Sequence, residues 1–328
     1  MSSKLVVGID LGATNVRAAL GSLDQGIIKS IGERTIQEPS AEKLIEQLIS
    51  LVERVAGEKL GEIQAIGMGS IGPLDIWKGV ILNPSNAPFR DVPVTEALSE
   101  RFKVPAYLLN DCTVAVLGET VFGAGKNLKN VFYVTLSSGI GGGAVVDGNL
   151  LLGKDGNAVE IGHIVIDFDG KLKCGCGARG HWESYCAGKN IPSFARYWIT
   201  VNKKESERSP VVELALKGEL TTEYLFNAAK TGDKIALEIV EEIGRLNAIG
   251  FANITTLYDP ELITVGGAIA VNNESLVLEP IRRHLQEYTV NRAPEVKLTP
   301  LGDEVVLYGA VALAINPPEA LRSLKETV

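Results

Sequence analysis

Residues 8–15 read Gly-Ile-Asp-Leu-Gly-Ala-Thr-Asn, and this stretch decides the fold of the first half of the chain. The apolar residues around it predict a strand over Leu5–Ile9 and a return strand over Val16–Leu20. Asp10 then ends one strand, and Gly12 lets the backbone turn closely around a ligand. A carboxylate beside backbone amides and a hydroxyl suits a metal-bound polyphosphate, whereas the plainer interpretation is a tight hairpin with an exposed Asp.

Strands and helices alternate beyond this hairpin. Ile27–Ile31 predicts the third strand of an antiparallel meander. Ser40 can cap a helix whose apolar residues recur at helical spacing until Gly57. The next predicted elements are a strand over Ile63–Met68, a helix from about Val94 to Phe102 and a strand over Ala106–Leu109 that ends at Asn110-Asp111. The pattern predicts a mixed α/β domain.

The plan of strand, glycine turn and return strand occurs again in the second half. Val131–Leu136 predicts a strand that leads into Ser137-Ser-Gly-Ile-Gly-Gly-Gly143. With Ala144 this loop matches the GxGxxA pattern of dinucleotide-binding dehydrogenases. A Rossmann unit needs a helix there, whereas Ala144–Val146 and Leu150–Leu152 predict a hairpin around Asp147-Gly148. We therefore favour a second phosphate-binding turn.

The remaining elements are mostly helical. The longest predicted helix covers about Asp233–Leu257, and Leu262–Val265 predicts a buried strand that opens onto Gly266-Gly267. Val305–Gly309 precedes a last helix of small residues.

Composition excludes several classes of protein. The 328 residues are 45% apolar and 22% charged, which excludes disorder and predicts two domains. The 32 Lys and Arg against 40 Asp and Glu give a net charge of −8, which argues against nucleic acid or a membrane surface as a partner. Without a secretory signal or an apolar run of about 18 residues, we expect a soluble, cytoplasmic protein.

The cysteines are clustered. Cys174, Cys176 and Cys186 lie within 13 residues, and Cys112 is the fourth. That spacing favours a local metal or redox site over a disulfide framework.

Six motifs occur in the order of the ROK family of sugar kinases and sugar-responsive repressors, and the chain resembles that family over nearly its whole length. They are residues 8–15, Leu109-Asn-Asp111, Leu136-Ser-Ser-Gly-Ile-Gly-Gly-Gly143, Glu160-Ile-Gly-His163, Cys174-Gly-Cys-Gly-Ala-Arg-Gly-His-Trp-Glu183 and Val265-Gly-Gly267. The resemblance implies an α/β, two-domain, actin-like ATPase fold, a duplicated ribonuclease H-like fold with the active-site cleft between the domains. We expect a small domain over residues 1–112, joined by a C-terminal helix at about 308–328, and a large domain over residues 113–307.

The resemblance implies ATP-dependent phosphorylation of the 6-hydroxyl of an aldohexose, most of all glucose, with Mg²⁺. Asp111 matches the general base, and a carboxylate at the end of a buried strand can accept the proton of a sugar hydroxyl, although Asn-Asp alone predicts a turn. The residues expected to bind the nucleotide are Asp10, Gly12, Ala13, Thr14, Asn15, Ser137, Ser138, Gly139, Gly141, Gly266 and Gly267. Gly266 and Gly267 would lie against adenine and ribose, unless they form an ordinary turn.

The residues expected to contact the sugar are Ser70, Gly72, Asn86, Asn110, Asp111, Glu160, His163 and Glu183. Amide side chains both donate and accept hydrogen bonds, which suits polyols. Val159 stands where the family usually has a glycine. This departure from the family pattern affects how the loop approaches the sugar.

The resemblance also implies a structural zinc ion held by His163, Cys174, Cys176 and His181, where His181 replaces a family cysteine. Two thiolates and two imidazoles remain a competent tetrahedral set. Free thiols, or a bridge that uses Cys186, are the alternatives.

Other functions stay open. A sugar-sensing repressor of the family would carry a helix-turn-helix before the kinase-like core, and only four residues precede the first strand here. An actin-like ATPase that acts on a polypeptide would share the fold without the Glu160, His163 and Glu183 trio. Fructose, mannose or an N-acetylhexosamine could replace glucose. We expect a homo-oligomer, either a dimer or a tetramer.

Overall fold

The computed structural model describes residues 4–84 and 86–326, so the outermost residues of the predicted small domain lie outside the described residues. The strands are β1 (Leu5–Leu11), β2 (Asn15–Ser22), β3 (Gly26–Arg34), β4 (Ile63–Ser70), β5 (Leu74–Asp75), β6 (Val80–Ile81), β7 (Ala106–Asn110), β8 (Val131–Leu136), β9 (Ile140–Val146), β10 (Asn149–Leu150), β11 (Leu262–Gly266) and β12 (Glu295–Leu298). The helices are α1 (Ala41–Ala56), α2 (Val94–Phe102), α3 (Asp111–Val121), α4 (Glu183–Cys186), α5 (Ile191–Val201), α6 (Pro210–Lys217), α7 (Thr222–Lys230), α8 (Lys234–Tyr258), α9 (Ala268–Asn272), α10 (Glu274–Tyr288), α11 (Val305–Ile315) and α12 (Glu319–Glu326).

Contacts between Cα atoms group the chain into two compact units. Unit 1 comprises residues 1–133, 143–159 and 299–328, and unit 2 comprises residues 134–142 and 160–298. Both this grouping and the predicted domains place the C-terminal helices with the N-terminal segment. The bounds differ otherwise, and the division at 112/113 and about 308 stays a prediction.

The first sheet has the strand order β3-β2-β1-β4-β7. β1, β2 and β3 are paired antiparallel, which confirms the predicted meander. β4 pairs parallel with β1 and with β7, so the carboxyl ends of these three strands lie side by side. The sheet therefore presents the residues that follow β1, β4 and β7 along one edge.

Side-chain caps fix the helix starts that the sequence predicted. The Ser40 side chain accepts a hydrogen bond from the backbone of Lys43 at the start of α1, and Gly57 ends that helix with a φ of 53°. At the start of α8, the Asp233 side chain accepts from the backbone of Ala236. Each cap satisfies an amide that the helix leaves unpaired.

The last core helix begins earlier than predicted. Val305–Gly309 does not precede α11 but forms its first turns. α11 packs so closely on its neighbours that a Cβ on Gly309 would lie 1.8 Å from the carbonyl oxygen of Val114, and one on Gly67 would lie 2.1 Å from that of Ala310. At these two positions glycine therefore serves the close packing of α11.

The second sheet has the strand order β10-β9-β8-β11-β12. Numbered by position along the chain, both sheets read third, second, first, fourth, fifth. This common order confirms the predicted repetition of one plan in the two halves. No helix within the described residues is long and apolar enough to cross a membrane.

His284 joins α10 to α8 and gives unit 2 a pH-dependent contact. Its ring nitrogens lie 2.9 Å from a carboxylate oxygen of Glu241 and 2.9 Å from one of Glu287, and these carboxylates raise the pKa of His284 above its usual 6.5 despite partial burial. The contact therefore stabilises the fold fully below about pH 6.5 and loses its effect as pH rises through the elevated pKa.

We expect His284→Gln to lower the free energy of unfolding by up to about 1 kcal/mol near pH 6, and by much less near pH 9. Urea unfolding at both pH values measures the difference between the variant and the wild-type chain. A loss that is equal at the two pH values would contradict this role of the imidazolium.

Candidate active site

The carboxyl edge of the first sheet brings together predicted site residues from three strands. Leu11 on β1 is in register with Ser70 on β4, and Ser70 is in register with Asn110 on β7. Asp10 precedes Leu11, and Asp111 directly follows Asn110. Leu11 and Asn110, which are about 100 positions apart in sequence, therefore lie on either side of β4, at the edge where open α/β sheets bind ligands.

Asp10 is paired with an arginine that sequence reasoning missed. Arg17 lies opposite Asp10 in the β1–β2 register, and its Nε and Nη2 donate to the same carboxylate oxygen over 3.0 and 2.6 Å. Burial raises the pKa of Asp10, and the Arg17 guanidinium opposes that rise. Arg17 also donates to the backbone oxygen of Asp303 over 2.7 Å. The cross-strand position in a short hairpin was the available signal.

The turn between β1 and β2 holds the predicted residues Gly12, Ala13, Thr14 and Asn15. The Gly12 amide donates to the carbonyl oxygen of Asn15 over 2.9 Å. Thr35 holds the turn from outside, because its hydroxyl donates to the Gly12 oxygen over 2.8 Å and its amide donates to the Thr14 oxygen over 2.9 Å. These bonds give the turn one defined conformation without using the exposed Thr14 and Asn15 side chains.

Asp111 is the first residue of α3. Asn110 caps this helix, and the Cys112 amide donates to side-chain oxygens of Asn110 over 2.9 Å and of Asp111 over 2.7 Å. These hydrogen bonds fix the Asp111 carboxylate at the N-terminus of α3. Gly72 follows β4 and Asn86 is exposed in the loop before α2, and their predicted contacts with sugar stay predictions.

The second glycine turn joins β8 to β9. It contains Ser137, Ser138 and Gly139, and Gly141 follows it on β9. The Ser137 amide donates to the Gly139 oxygen over 3.0 Å. Because a strand and not a helix follows, the structural context of a dinucleotide fingerprint is absent from this turn. Gly267 follows β11 with a φ of 88°, and a Cβ there would lie 2.5 Å from the Leu136 oxygen, so only glycine fits.

Glu160, His163 and Glu183 all belong to unit 2. Glu183 lies at the start of α4, and its Oε2 accepts a hydrogen bond from the Ile140 amide over 3.0 Å. Desolvation raises the pKa of Glu160, with a smaller rise from Glu183 and an opposing effect of His163. The Glu183 carboxylate is therefore held by an amide of the glycine turn, whereas the pKa of Glu160 is raised by desolvation.

Val159 adopts a backbone conformation that β-branched residues rarely tolerate. Its φ is 70°, and its side chain is buried. Left-handed backbone costs a non-glycine residue about 1–2 kcal/mol. Valine in place of the family's glycine therefore leaves the backbone strained directly before Glu160.

We expect Val159→Gly to leave the free energy of unfolding within about 1 kcal/mol of wild type, because relief of strain offsets the lost burial. The matched control is Val145→Gly on β9, which is similarly buried at 5% exposure and has no positive φ. That variant should lose about 2–3 kcal/mol in the same denaturation experiment. Equal losses of unfolding free energy in the two variants would contradict backbone strain at Val159.

The four predicted zinc ligands converge. Their ligand atoms all lie within 4.8 Å of one another, in the set His163, Cys174, Cys176 and His181. His163 Nδ1 lies 3.3 Å from His181 Nδ1 and 3.7 Å from Cys174 Sγ, while Cys176 Sγ lies 3.4 Å from His181 Nδ1. Burial raises the pKa of Cys174, and burial with the nearby His163 lowers the pKa of His181.

These donors fit zinc. Bonds of about 2.0–2.3 Å to a tetrahedral ion place ligand atoms roughly 3.3–3.8 Å apart, which matches the three distances above. The alternative of a disulfide with Cys186 is wrong for this structure, because all four cysteines are free and the buried Cys186 thiol contacts the Ile243 oxygen over 3.7 Å.

Comparison with known proteins identifies the family of this chain. A family model described as the ROK family matches residues 6–316. The chain belongs to the ROK family. A glucokinase of Pyrobaculum calidifontis is 40% identical over 316 residues, which cover 96% of this chain and 97% of that protein.

Solved structures of ROK proteins share the fold. A ROK hexokinase from Thermus thermophilus has a TM-score of 0.79 at 32% identity, with 94% of this chain and 97% of that chain covered. A ROK family glucokinase from Streptomyces griseus, solved with glucose and AMPPNP, has a TM-score of 0.74 at 29% identity, with 94% and 99% covered. The chain thus has the mixed α/β, actin-like fold of ROK sugar kinases, as predicted.

Proposed function

We propose that this chain is a glucokinase or hexokinase, which transfers the γ-phosphoryl group of ATP to the 6-hydroxyl of an aldohexose, with glucose preferred. The observation that carries the proposal is the strand register that pairs Leu11 with Ser70 and Ser70 with Asn110, because Asp10 directly precedes Leu11 and Asp111 directly follows Asn110. Near-full-length similarity to proteins named glucokinase supports the same activity.

In this proposal Asp111 is the general base. Its carboxylate accepts the proton of the 6-hydroxyl as that oxygen forms a bond to the γ-phosphorus, and the bond to the bridging oxygen of ADP breaks. Asp10 faces the Mg²⁺ that accompanies ATP as substrate. The Gly12–Asn15 and Ser137–Gly141 turns border the phosphates through their hydroxyl groups and the amides that are not bonded within the turns, and Gly266-Gly267 lies against the adenosine.

The sugar is held by side chains that can read hydroxyl groups. Glu160, His163 and Glu183 accept or donate hydrogen bonds around C1 and C2, while Asn86 and Asn110 contact other hydroxyls. Ser70 and Gly72 border the same substrate. When zinc is bound by the four-residue cluster, it supplies structural cross-linking that orients His163 and Glu183.

A coupled assay of ADP release across glucose, mannose, fructose and the N-acetylhexosamines tests this proposal. We expect the highest kcat/KM for glucose. ATP turnover that ignores every added sugar would instead favour an actin-like ATPase acting on a polypeptide, and preference for an N-acetylhexosamine would move the activity within the kinase class. Salt-sensitive DNA binding would favour a repressor.

Two further expectations belong to this proposal. We propose that the chain forms a homo-oligomer and that it acts in the cytoplasm. Light scattering of the purified chain measures its mass against 35.0 kDa per protomer.

A further inference from the structure

The glycine turn of unit 2 is held by the segment that directly follows the metal cluster. The Gly188 amide donates to the Ser137 oxygen over 2.8 Å, and the Lys189 amide donates to the Ser138 oxygen over 3.2 Å. Approach is so close that a Cβ on Gly188 would lie 3.0 Å from the Ser137 oxygen. These two bonds fix the turn by the carbonyl groups of Ser137 and Ser138.

The Glu183 side chain makes a third hydrogen bond to the turn. Its Oε2 accepts from the Ile140 amide over 3.0 Å, and a Cβ on Gly139 would lie 2.9 Å from the same oxygen. Its other oxygen, Oε1, lies 3.8 Å from Cys174 Sγ. One carboxylate therefore contacts both a metal ligand and the glycine turn.

The connection between cluster and turn is short and firmly packed. Only Trp182 separates the ligand His181 from Glu183, and the Ser184 amide donates to the His181 oxygen over 3.0 Å. Trp182 is fully buried, and its indole donates to Asn247 on α8 over 2.9 Å. A change in the position of His181 is thus transmitted to Glu183 with little room for compensation.

On the cluster side of this connection, the loop is held by hydrogen bonds of its own, such as the bond from the Cys174 amide to the Ala178 oxygen over 2.8 Å. Residues 175–179 are all exposed, and Cys176 is among them. In such a segment a bound metal supplies the ordering that a hydrophobic core would supply elsewhere. Loss of the metal should therefore free the segment and, with it, the carboxylate that holds the Ile140 amide.

We propose that Glu183 is a positioning residue that links the His163–Cys174–Cys176–His181 cluster to the Ser137–Gly141 turn, so that metal occupancy sets the affinity for the nucleotide. This inference rests on the proposed function, which assigns the turn to ATP. A turn that is already ordered binds its ligand without an added entropic cost, whereas a loosened turn must be ordered on binding.

Calorimetric titration with AMPPNP, without sugar, tests this link. We compare the zinc-loaded chain, the same chain after chelation, Cys176→Ala, and Lys173→Ala as the matched control in the same loop, because Lys173 is exposed and is not a ligand. We expect AMPPNP affinity to fall about tenfold after chelation and in Cys176→Ala, and to stay unchanged in Lys173→Ala. Affinities within twofold of one another in all four forms would overturn the proposal, as would a wild-type chain that retains no zinc.

Amide hydrogen exchange provides a readout that does not depend on nucleotide binding. We expect exchange at Ile140 to accelerate at least tenfold after chelation, and to accelerate likewise in zinc-loaded Glu183→Ala. If no form binds AMPPNP, the nucleotide assignment fails, but accelerated exchange at Ile140 still supports the link. Unchanged exchange at Ile140 on metal removal overturns the link whatever the nucleotide affinity.

Discussion

Replacement of Asp111 by asparagine is expected to lower kcat for glucose phosphorylation by a factor of about 100 to 10,000. An amide cannot accept the proton of the 6-hydroxyl, so the attacking oxygen loses its base. The fold should persist, because an asparagine side-chain oxygen can still accept the hydrogen bond that the Cys112 amide now donates to Asp111 over 2.7 Å.

Steady-state kinetics of Asp111→Asn, together with thermal unfolding, measure these two effects separately. Asp147→Asn is the matched control, since Asp147 is exposed in a hairpin turn at a φ of 51° that asparagine adopts readily. The control should keep wild-type kcat. An Asp111→Asn enzyme that retained more than about a tenth of wild-type kcat would show that another group takes the proton.

Replacement of Arg17 by methionine is expected to lower the free energy of unfolding by about 2 kcal/mol at neutral pH. The Asp10 side chain is 14% exposed, so its carboxylate would stay desolvated after losing a cation 2.6 Å away. Burial raises the pKa of Asp10 above its usual value of 3.8. The free energy of unfolding therefore falls as pH rises from about 3.8 through the raised pKa, where the buried carboxyl group ionises. The loss of unfolding free energy in Arg17→Met should therefore be smaller at acidic pH, where the Asp10 carboxyl group is neutral.

A double-mutant cycle with Asp10→Asn isolates this pair. In the Asp10→Asn background, Arg17→Met should cost less than about 1 kcal/mol in chemical denaturation, because no buried charge remains. Arg34→Met is the control, since Arg34 is exposed at the end of β3. Equal costs of Arg17→Met in both backgrounds would mean that Arg17 acts through its contact with Asp303 and not through Asp10.

Local signals predicted most elements of the fold. Ser40 and Gly57 marked the two ends of α1, and apolar runs placed β1, β2 and β8 to within two residues at each end. The repeated plan of strand, glycine turn and return strand predicted that the two halves are alike, whereas the strand order of the sheets came from the structure. Such features depend on neighbours in sequence, so a single chain suffices to find them.

Features that depend on contacts between residues far apart in sequence could not be predicted from local sequence signals. Nothing near Gly67 or Gly309 in sequence indicates that α11 packs against both of them. The pairing of Arg17 with Asp10 needed the hairpin register, and the strain at Val159 needed its backbone angle. The metal cluster was found from sequence because ROK resemblance supplied the partner His163, which lies 11 residues before Cys174.

Transfer of a phosphoryl group to the 6-hydroxyl is tested most directly by identification of the product. Incubation with MgATP and either glucose or 6-deoxyglucose, followed by phosphorus NMR, distinguishes transfer from hydrolysis. We expect equal amounts of ADP and glucose 6-phosphate with glucose, and almost no ADP with 6-deoxyglucose. Equal ADP release with the two sugars, or a phosphate on another oxygen of glucose, would contradict transfer to the 6-hydroxyl.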